Sequence, residues 1–255
     1  MKLYSKKHMN LLRELVVSQY KLKDQSKFLG FIWSFLNPLV MLGVLFMFFS
    51  FLMRNTIEHY VVYLLIGIVH YTHFSNSTFS SMRILYNLKQ LTGEAVFPKE
   101  LLVISSIISN VIEFVISLLI TVTVAYILGV NFSWSILLLP FVFILQLMLV
   151  IWVSLFLSCF YLYVKDIDHI YQVFLRILFF ITPIFYDLSS IGGIAKTIAM
   201  LNPLTHLISF SRIIIIEGRI FSFEIWGVMF LANSVLIYLA FTLFKKFEPT
   251  FAENL

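Results

Sequence analysis

Apolar residues gather along the chain in six long blocks, 31–53, 60–81, 101–128, 134–163, 170–186 and 223–244, separated by short polar pieces. A helix needs roughly 20 apolar residues to cross a bilayer core, so the pattern predicts six membrane-spanning helices. The fifth block is the shortest. It is broken at Pro183 and Asp187, and a turn follows at Gly192-Gly193. The chain then runs apolar to a second break at Asn202-Pro203, with Lys196 and His206 on either side of it. Helix breaks at membrane depth survive only where protein or a water-filled cavity satisfies the freed backbone. Residues 188–210 therefore read as a short re-entrant helical pair between the fifth and sixth spans, lining a pathway. The expected architecture is an all-α membrane protein forming one domain over residues 1–255.

Ahead of the first block, residues 8–29 show Met9, Leu12, Val16 and Tyr20 at helical spacing, with Arg13, Lys21, Lys23 and Lys27 as a basic side. That pattern suits a helix lying in the headgroup layer, with a solvated helix whose lysines fix topology as the alternative. The loops at 54–59 and 129–133 are short, the second carrying Gly129 and Asn131 as turn chemistry. Residues 82–100 are longer than a bare connector requires. Their helical first half, Gly93 and Phe97-Pro98 form an elbow, either a docking element for a partner or a solvated loop.

Composition agrees with the pattern. The 255 residues are 60% hydrophobic and 12% charged, with mean hydropathy +0.96, far from the soluble norm of about a quarter charged. The net charge of +5 matters first as a topology signal. With the N-terminus inside, the pieces 1–30, 82–100, 164–169 and 245–255 hold thirteen lysines and arginines, against four on the other side. Both termini are therefore expected in the cytoplasm. Residues 1–30 lack the apolar run and cleavage site of a signal peptide. The single cysteine, Cys159, excludes disulfides and cysteine-rich metal sites. A phosphate-binding GxxxxGK[ST] loop is absent, so this chain does not grip ATP in that way.

Polar residues inside the apolar blocks are the candidate site. Ser106, Asn110, Glu113, Ser117 and Thr121 fall on one helical face, covering ~22 Å at 1.5 Å per residue. A lipid-facing carboxyl at mid-membrane would cost several kcal/mol, so this face looks at protein or at water. Packing and pathway lining both satisfy that demand. Arg176 keeps its charge and needs the headgroup region, a carboxylate such as Glu113, or an anionic substrate headgroup. His70 and His73 lie three apart without a third metal ligand at their depth. Lys165, Asp166 and Asp168 read as a cytoplasmic turn, with Asp168 able to cap the next helix. Aromatics reach 17%. Of these, Trp33, Phe180 and Tyr186 stand beside helix breaks, where flat rings with a polar handle suit sugar faces.

Four stretches, in order, resemble the ABC-2 type permeases that export O-antigen polysaccharide, capsule or teichoic acid. They are FLGFIWSFLNPLVML at 28–42, VFPKELLVISSIIS at 96–109, LYVKDIDHIYQVFLRILFFITPIFY at 162–186 and NPLTHLISFSR at 202–212. The resemblance implies a homodimer in the bacterial cytoplasmic membrane, served by two copies of a cytoplasmic ABC ATPase that binds ATP and Mg²⁺. No cofactor in this chain itself is implied. The cargo would be an undecaprenyl-pyrophosphate-linked glycan such as O-antigen. On that likeness 8–29 is the interfacial helix, and 82–100 is the coupling segment, with Asn87, Phe97, Pro98 and Lys99 toward the ATPase. Residues 188–210 become outer gate helices around Gly192, Gly193, Asn202, Pro203 and His206. The channel would pass Trp33, Phe180, Tyr186 and Glu113, and Lys27 or Arg176 would meet the pyrophosphate. This chain then supplies a path and not a reaction. Two rivals remain: an ion-coupled transporter using Glu113 as proton carrier, and a membrane enzyme acting on lipid-linked sugar. The first often shows inverted repeats, and the second needs a clustered acid/base or metal constellation. Neither feature is visible in the sequence.

Overall fold

The computed structural model describes residues 6–25, 36, 39–48, 57–94 and 97–254. Among the described residues ten α-helices follow one another: α1 (Lys6–Gln25), α2 (Leu39–Phe48), α3 (Tyr60–Asn87), α4 (Lys89–Glu94), α5 (Glu100–Ile127), α6 (Leu139–Tyr163), α7 (Ile167–Ile181), α8 (Gly193–Leu201), α9 (Pro203–Ile215) and α10 (Phe223–Phe247). Short 3₁₀ turns precede α6 and α8 and follow α10. No strand occurs among the described residues.

Three described helical segments are long and apolar enough to cross a membrane: Glu100–Ile127, Trp134–Tyr163 and Phe223–Asn254. A fourth arises if α8 and α9, bent by 84° at their junction, count as one broken span. This is a multi-pass membrane protein. α3 has the length of a span, and its position explains its polarity. It packs against α5, α6, α7 and α9, so His70, His73, Ser77, Thr78 and Ser81 are buried among helices. α7, at 15 residues, covers ~22 Å, less than the ~30 Å of hydrocarbon. The sequence pattern carried its span to residue 186. The helix stops at Ile181, and residues 182–187 run without helical structure.

Elements end where local chemistry ends them. Gly129 takes φ +80° just past α5, and the Val130 amide reaches back to the Ala125 carbonyl at 3.0 Å. Gly218, φ +63°, turns the chain after α9, where the Arg219 amide returns to the Ile213 carbonyl. The Gly129 turn is a left-handed helix cap of the Schellman type, and at both positions glycine adopts a positive φ without strain. Asn202 caps α9, its side chain accepting from the Leu204 amide at 3.0 Å, and Pro203 occupies the first turn.

In hydrocarbon there is no hydrophobic drive between helices, and packing and interhelical hydrogen bonds worth ~0.6 kcal/mol each hold the bundle. The Tyr171 hydroxyl donates to Thr78 Oγ1 at 2.6 Å, joining α7 to α3. Trp152 Nε1 donates to Asn233 Oδ1 at 2.9 Å, joining α6 to α10. α1 lies along α5, with Gln19 Nε2 donating to Ser105 Oγ at 2.5 Å. Its inner face runs through Leu11, Leu12, Leu15 and Gln19, while Met9 is 60% exposed. The apolar stripe read from Met9 is thus rotated: Leu12, Val16 and Tyr20 turn toward protein, and Met9 does not.

Candidate functional site

The broken stretch after α7 is held by one buried arginine. Arg212, on α9 and 6% exposed, donates through Nη1 to the Pro183 carbonyl at 2.7 Å and through Nη2 to the Ile184 carbonyl at 2.8 Å. Nε and Nη2 also reach the Tyr63 carbonyl at 3.3 and 3.0 Å. The guanidinium carbon stands 3.3 Å from the Tyr63 ring centroid, a cation–π arrangement. Two more donors come from α3. The Tyr60 hydroxyl donates to the Phe185 carbonyl and the Tyr63 hydroxyl to the Tyr186 carbonyl, both at 2.9 Å. Carbonyls of residues 183–186, freed by the helix break, are therefore all satisfied by protein, as membrane depth demands. Gly67 makes this approach possible, since a Cβ there would lie 3.1 Å from Arg212 Nη2 and from the Ile184 Cα.

The bent pair of α8 and α9 carries the glycines and the Asn-Pro break read from the sequence. Gly192 precedes α8 in an extended conformation, and Gly193 begins it at φ +60°. The bend falls at Asn202-Pro203. Asn202, 8% exposed, donates through Nδ2 to Thr182 Oγ1 at 2.7 Å, so the cap of α9 also grips the end of α7. His206 Nε2 lies 2.8 Å from the Met200 carbonyl, closing the elbow between α8 and α9. The outer surface of α8 is left apolar and open: Ile194 is 80% and Leu201 78% exposed.

The polar stripe of α5 turns to α3. Asn110 Nδ2 donates to Ser80 Oγ at 2.9 Å, and Ser106 Oγ to the same atom at 3.3 Å. Glu113, half-buried, lines a polar cavity of about 20 Å³ between the two helices, together with His73, Asn76, Asn110 and Ser117. Packing and cavity lining thus share one face. His70 and His73 sit deeper and are joined by Gln146 of α6, within 3.3 Å of each. Among the described residues no group of three or more His, Cys, Asp or Glu side chains could hold a metal.

Arg176 and Phe180 project from the open face of α7, where Ile170, Val173 and Ile177 are each more than half exposed. Arg176 forms no ion pair with Glu113, which stands in the cavity between α3 and α5. Tyr186 is half-buried, its hydroxyl donating to the Ile181 carbonyl at 2.7 Å and to that of Phe180 at 3.2 Å. Lys27 and Trp33 lie outside the described residues.

At the opposite end, the elbow is a folded unit. α4 buries only Thr92, whose Oγ1 donates to the Leu85 carbonyl at 2.8 Å. Its other residues, with Asn87 ahead of them, are exposed. Phe97 and Pro98 are half-buried. Lys99 turns inward: Nζ donates to the Leu91 carbonyl at 3.0 Å and lies 4.7 Å from the Phe97 ring centroid. Burial lowers its pKa from the usual lysine value, against the raising pull of Glu248. The Lys99 amide donates to Glu248 Oε1 at 2.7 Å. Lys245 Nζ bridges Glu100 Oε2 at 2.7 Å and Glu248 Oε2 at 2.9 Å. The elbow, the start of α5 and the end of α10 are fastened as one piece.

Sequence reasoning missed the clamp. Arg212 counted there as an outer-side charge and as the last residue of the 202–212 stretch, and Tyr60 and Tyr63 as part of a span. The rule applied to Arg176, that an arginine within an apolar run needs a partner, finds Arg212 when applied to 202–216. It leaves the partners unnamed, because they lie about 30 and 150 positions away along the chain. The Lys245–Glu100–Glu248 cluster was missed for the same reason.

The family described as ABC-2 type transporter matches residues 10–216. Along almost its whole length the chain is also similar to curated relatives. One is the O-antigen export system permease protein RfbA of Myxococcus xanthus, 28% identical over 247 residues, covering 96% of this chain and 95% of that one. Two proteins of the same name from Klebsiella pneumoniae are 25% and 24% identical over 250 residues, again 96% of this chain and 95% of theirs.

Proposed function

Because this chain belongs to the ABC-2 type transporter family, we propose that it is the membrane subunit of an exporter that moves a lipid-linked polysaccharide outward. The observation that carries this reading is the end-to-end similarity to proteins named as O-antigen export permeases. The cargo is an undecaprenyl-pyrophosphate-linked glycan of the O-antigen kind, with teichoic acid and capsule as the alternatives of the same chemistry. The chain works as a homodimer of six-span protomers in the bacterial cytoplasmic membrane, with both termini inside. ATP and Mg²⁺ are bound by a separate ATPase, two copies per dimer. This chain is a transport subunit and catalyses no reaction.

In that reading the exposed face of α4, with Asn87 beside it, meets the ATPase. Phe97, Pro98 and Lys99 act one layer behind, passing movement of α4 to α5 and α10 through Glu248 and Lys245. The open face of α7 lines the intersubunit path, with Phe180 offering a ring to sugars and Arg176 meeting the pyrophosphate. Tyr186, Glu113 and Trp33 complete the path set, and Lys27 is the alternative to Arg176 for meeting the pyrophosphate. The hairpin at Gly192, Gly193, Asn202, Pro203 and His206 closes the outer mouth, swinging about the clamped segment 182–187.

The test is reconstitution in vesicles with the partner ATPase and a polyprenyl-pyrophosphate glycan. Transport that requires ATP and the ATPase is expected. Transport that persists without the ATPase but needs a proton gradient would overturn the reading in favour of an ion-coupled carrier at Glu113. Turnover of a polyprenyl-phosphate sugar by the purified chain alone would establish an enzyme instead.

A further inference from the structure

We infer that the cavity between α3 and α5 binds a single structural water, which completes a hydrogen-bonded relay from Glu113 to α9. The relay is readable because Gln146 fixes the tautomers of both histidines. Its Nε2 donates to the His70 carbonyl at 3.2 Å, so its amide orientation is set by a group that only accepts. The same nitrogen then donates to His73 Nδ1 at 3.2 Å, and Oε1 accepts from His70 Nδ1 at 3.3 Å. In the neutral imidazole one ring nitrogen donates and the other accepts. His70 Nε2 is therefore an acceptor, and it takes the Ser211 hydroxyl at 2.8 Å. His73 Nε2 carries the remaining proton.

That N–H is buried, with His73 only 5% exposed, and it has no protein partner. It lies across the ring from Gln146, and His73 is among the residues that line the cavity. Opposite stand Asn110 and Glu113, with Phe114 stacked on the His73 ring at 4.2 Å. An orphaned buried donor is rare and points to an unseen acceptor. The volume of about 20 Å³ suits one water, which needs roughly 10–15 Å³ and two to four polar partners. A cation would meet the His73 N–H, and an anion the Glu113 carboxyl. Water has both the acceptor that His73 requires and the donors that Glu113 and the asparagine carbonyls can take. A carboxylate accepts at about four sites, so Glu113 keeps room for another partner.

The line Glu113, water, His73, Gln146, His70, Ser211 crosses α5, α3, α6 and α9. It ends one residue from Arg212, so the helix carrying the clamp is anchored from the far side of the bundle. This holds whatever the chain transports.

The experiment is radiolytic hydroxyl footprinting of the full-length protein in lipid nanodiscs, which labels a buried side chain only where a water lies beside it. Phe114, 2% exposed, is expected to label several-fold faster than Phe244, which is 0% exposed and outside the cavity lining. His73→Phe keeps the stack and removes the N–H. Glu113→Leu removes the opposing acceptor. Each should lower Phe114 labelling several-fold, while Glu113→Gln, which keeps a carbonyl oxygen, should preserve it. Wild-type Phe114 labelling no faster than Phe244 would overturn the inference, whether or not the variants fold. So would unchanged labelling in both His73→Phe and Glu113→Leu.

Discussion

Arg212 and Tyr63 meet twice: the guanidinium lies over the tyrosine ring at 3.3 Å and also donates to the tyrosine's own carbonyl at 3.0 Å. α9 is thereby tied to both the side chain and the backbone of α3, with the unwound segment 183–184 held between them. Arg212→Met leaves the Pro183 and Ile184 carbonyls without donors, each costing about 1–3 kcal/mol when buried, while the Tyr63 carbonyl keeps its partner within helix α3. A loss of roughly 2 kcal/mol or more is expected from the summed carbonyl cost. Arg212→Lys should recover only part of it, because a point ammonium cannot reproduce the planar fork. Thermal unfolding in detergent checks both variants. A Met variant as stable as wild type would remove the clamp.

Gly67 is predicted to be intolerant of a side chain. The Cβ of alanine would stand 3.1 Å from Arg212 Nη2 and from the Ile184 Cα and Cγ2, tighter than ordinary van der Waals contact. Gly67→Ala should cost about 1–3 kcal/mol by overpacking, and Gly43→Ala, with open space around it, should cost far less. The same unfolding measurement compares them.

Asn202 does two jobs that substitution can separate. Asn202→Asp keeps the oxygen that caps α9 but loses the Nδ2 donor to Thr182. Asn202→Ala loses both, the cap alone being worth about 1 kcal/mol. The Ala variant should be the less stable by about that amount. In a double-mutant cycle with Thr182→Val, Asn202 should couple to Thr182; additivity would show that the bridge contributes nothing.

Glu100 is only 2% exposed at its side chain and pairs with Lys245 at 2.7 Å. Lys245→Met should destabilise by roughly 1–3 kcal/mol, the cost of removing a hydrogen bond to a charged group. It should also weaken stimulation of the partner ATPase, because the elbow loses its tie to α10. Lys89→Ala, on the exposed face of α4, should leave stability unchanged and lower affinity for the ATPase. Co-purification yield and stimulated hydrolysis separate the two effects.

Arg176 stands exposed on α7 and forms no ion pair among the described residues, so Arg176→Gln should insert and assemble as wild type does. If it meets a pyrophosphate, export of the lipid-linked glycan should fall while ATPase coupling persists. Undiminished export would assign Arg176 to the headgroup layer.

Much of this protein was written in its hydropathy. The long apolar runs gave α5, α6 and α10, and Asn202-Pro203 marked the bend between α8 and α9, because caps and prolines act on their own few residues. The Ser106–Thr121 stripe required a protein or water neighbour, and it has α3 and the cavity. The break read at Pro183 is where α7 ends, at Ile181, although the apolar block ran on to residue 186, since residues 184–186 look apolar whether helical or not.

What satisfies that unwound backbone was decided only by the fold. Tyr60, Tyr63, Gly67 and Arg212 are unremarkable in their own windows and become one device when α3 and α9 pack together. Gln146 and the two histidines join in the same way. Sequence determines where a helix begins, ends and turns its polar face, because those depend on neighbours within a turn or two. It does not determine which distant donor meets which orphaned carbonyl, because that is a property of helices brought together in three dimensions.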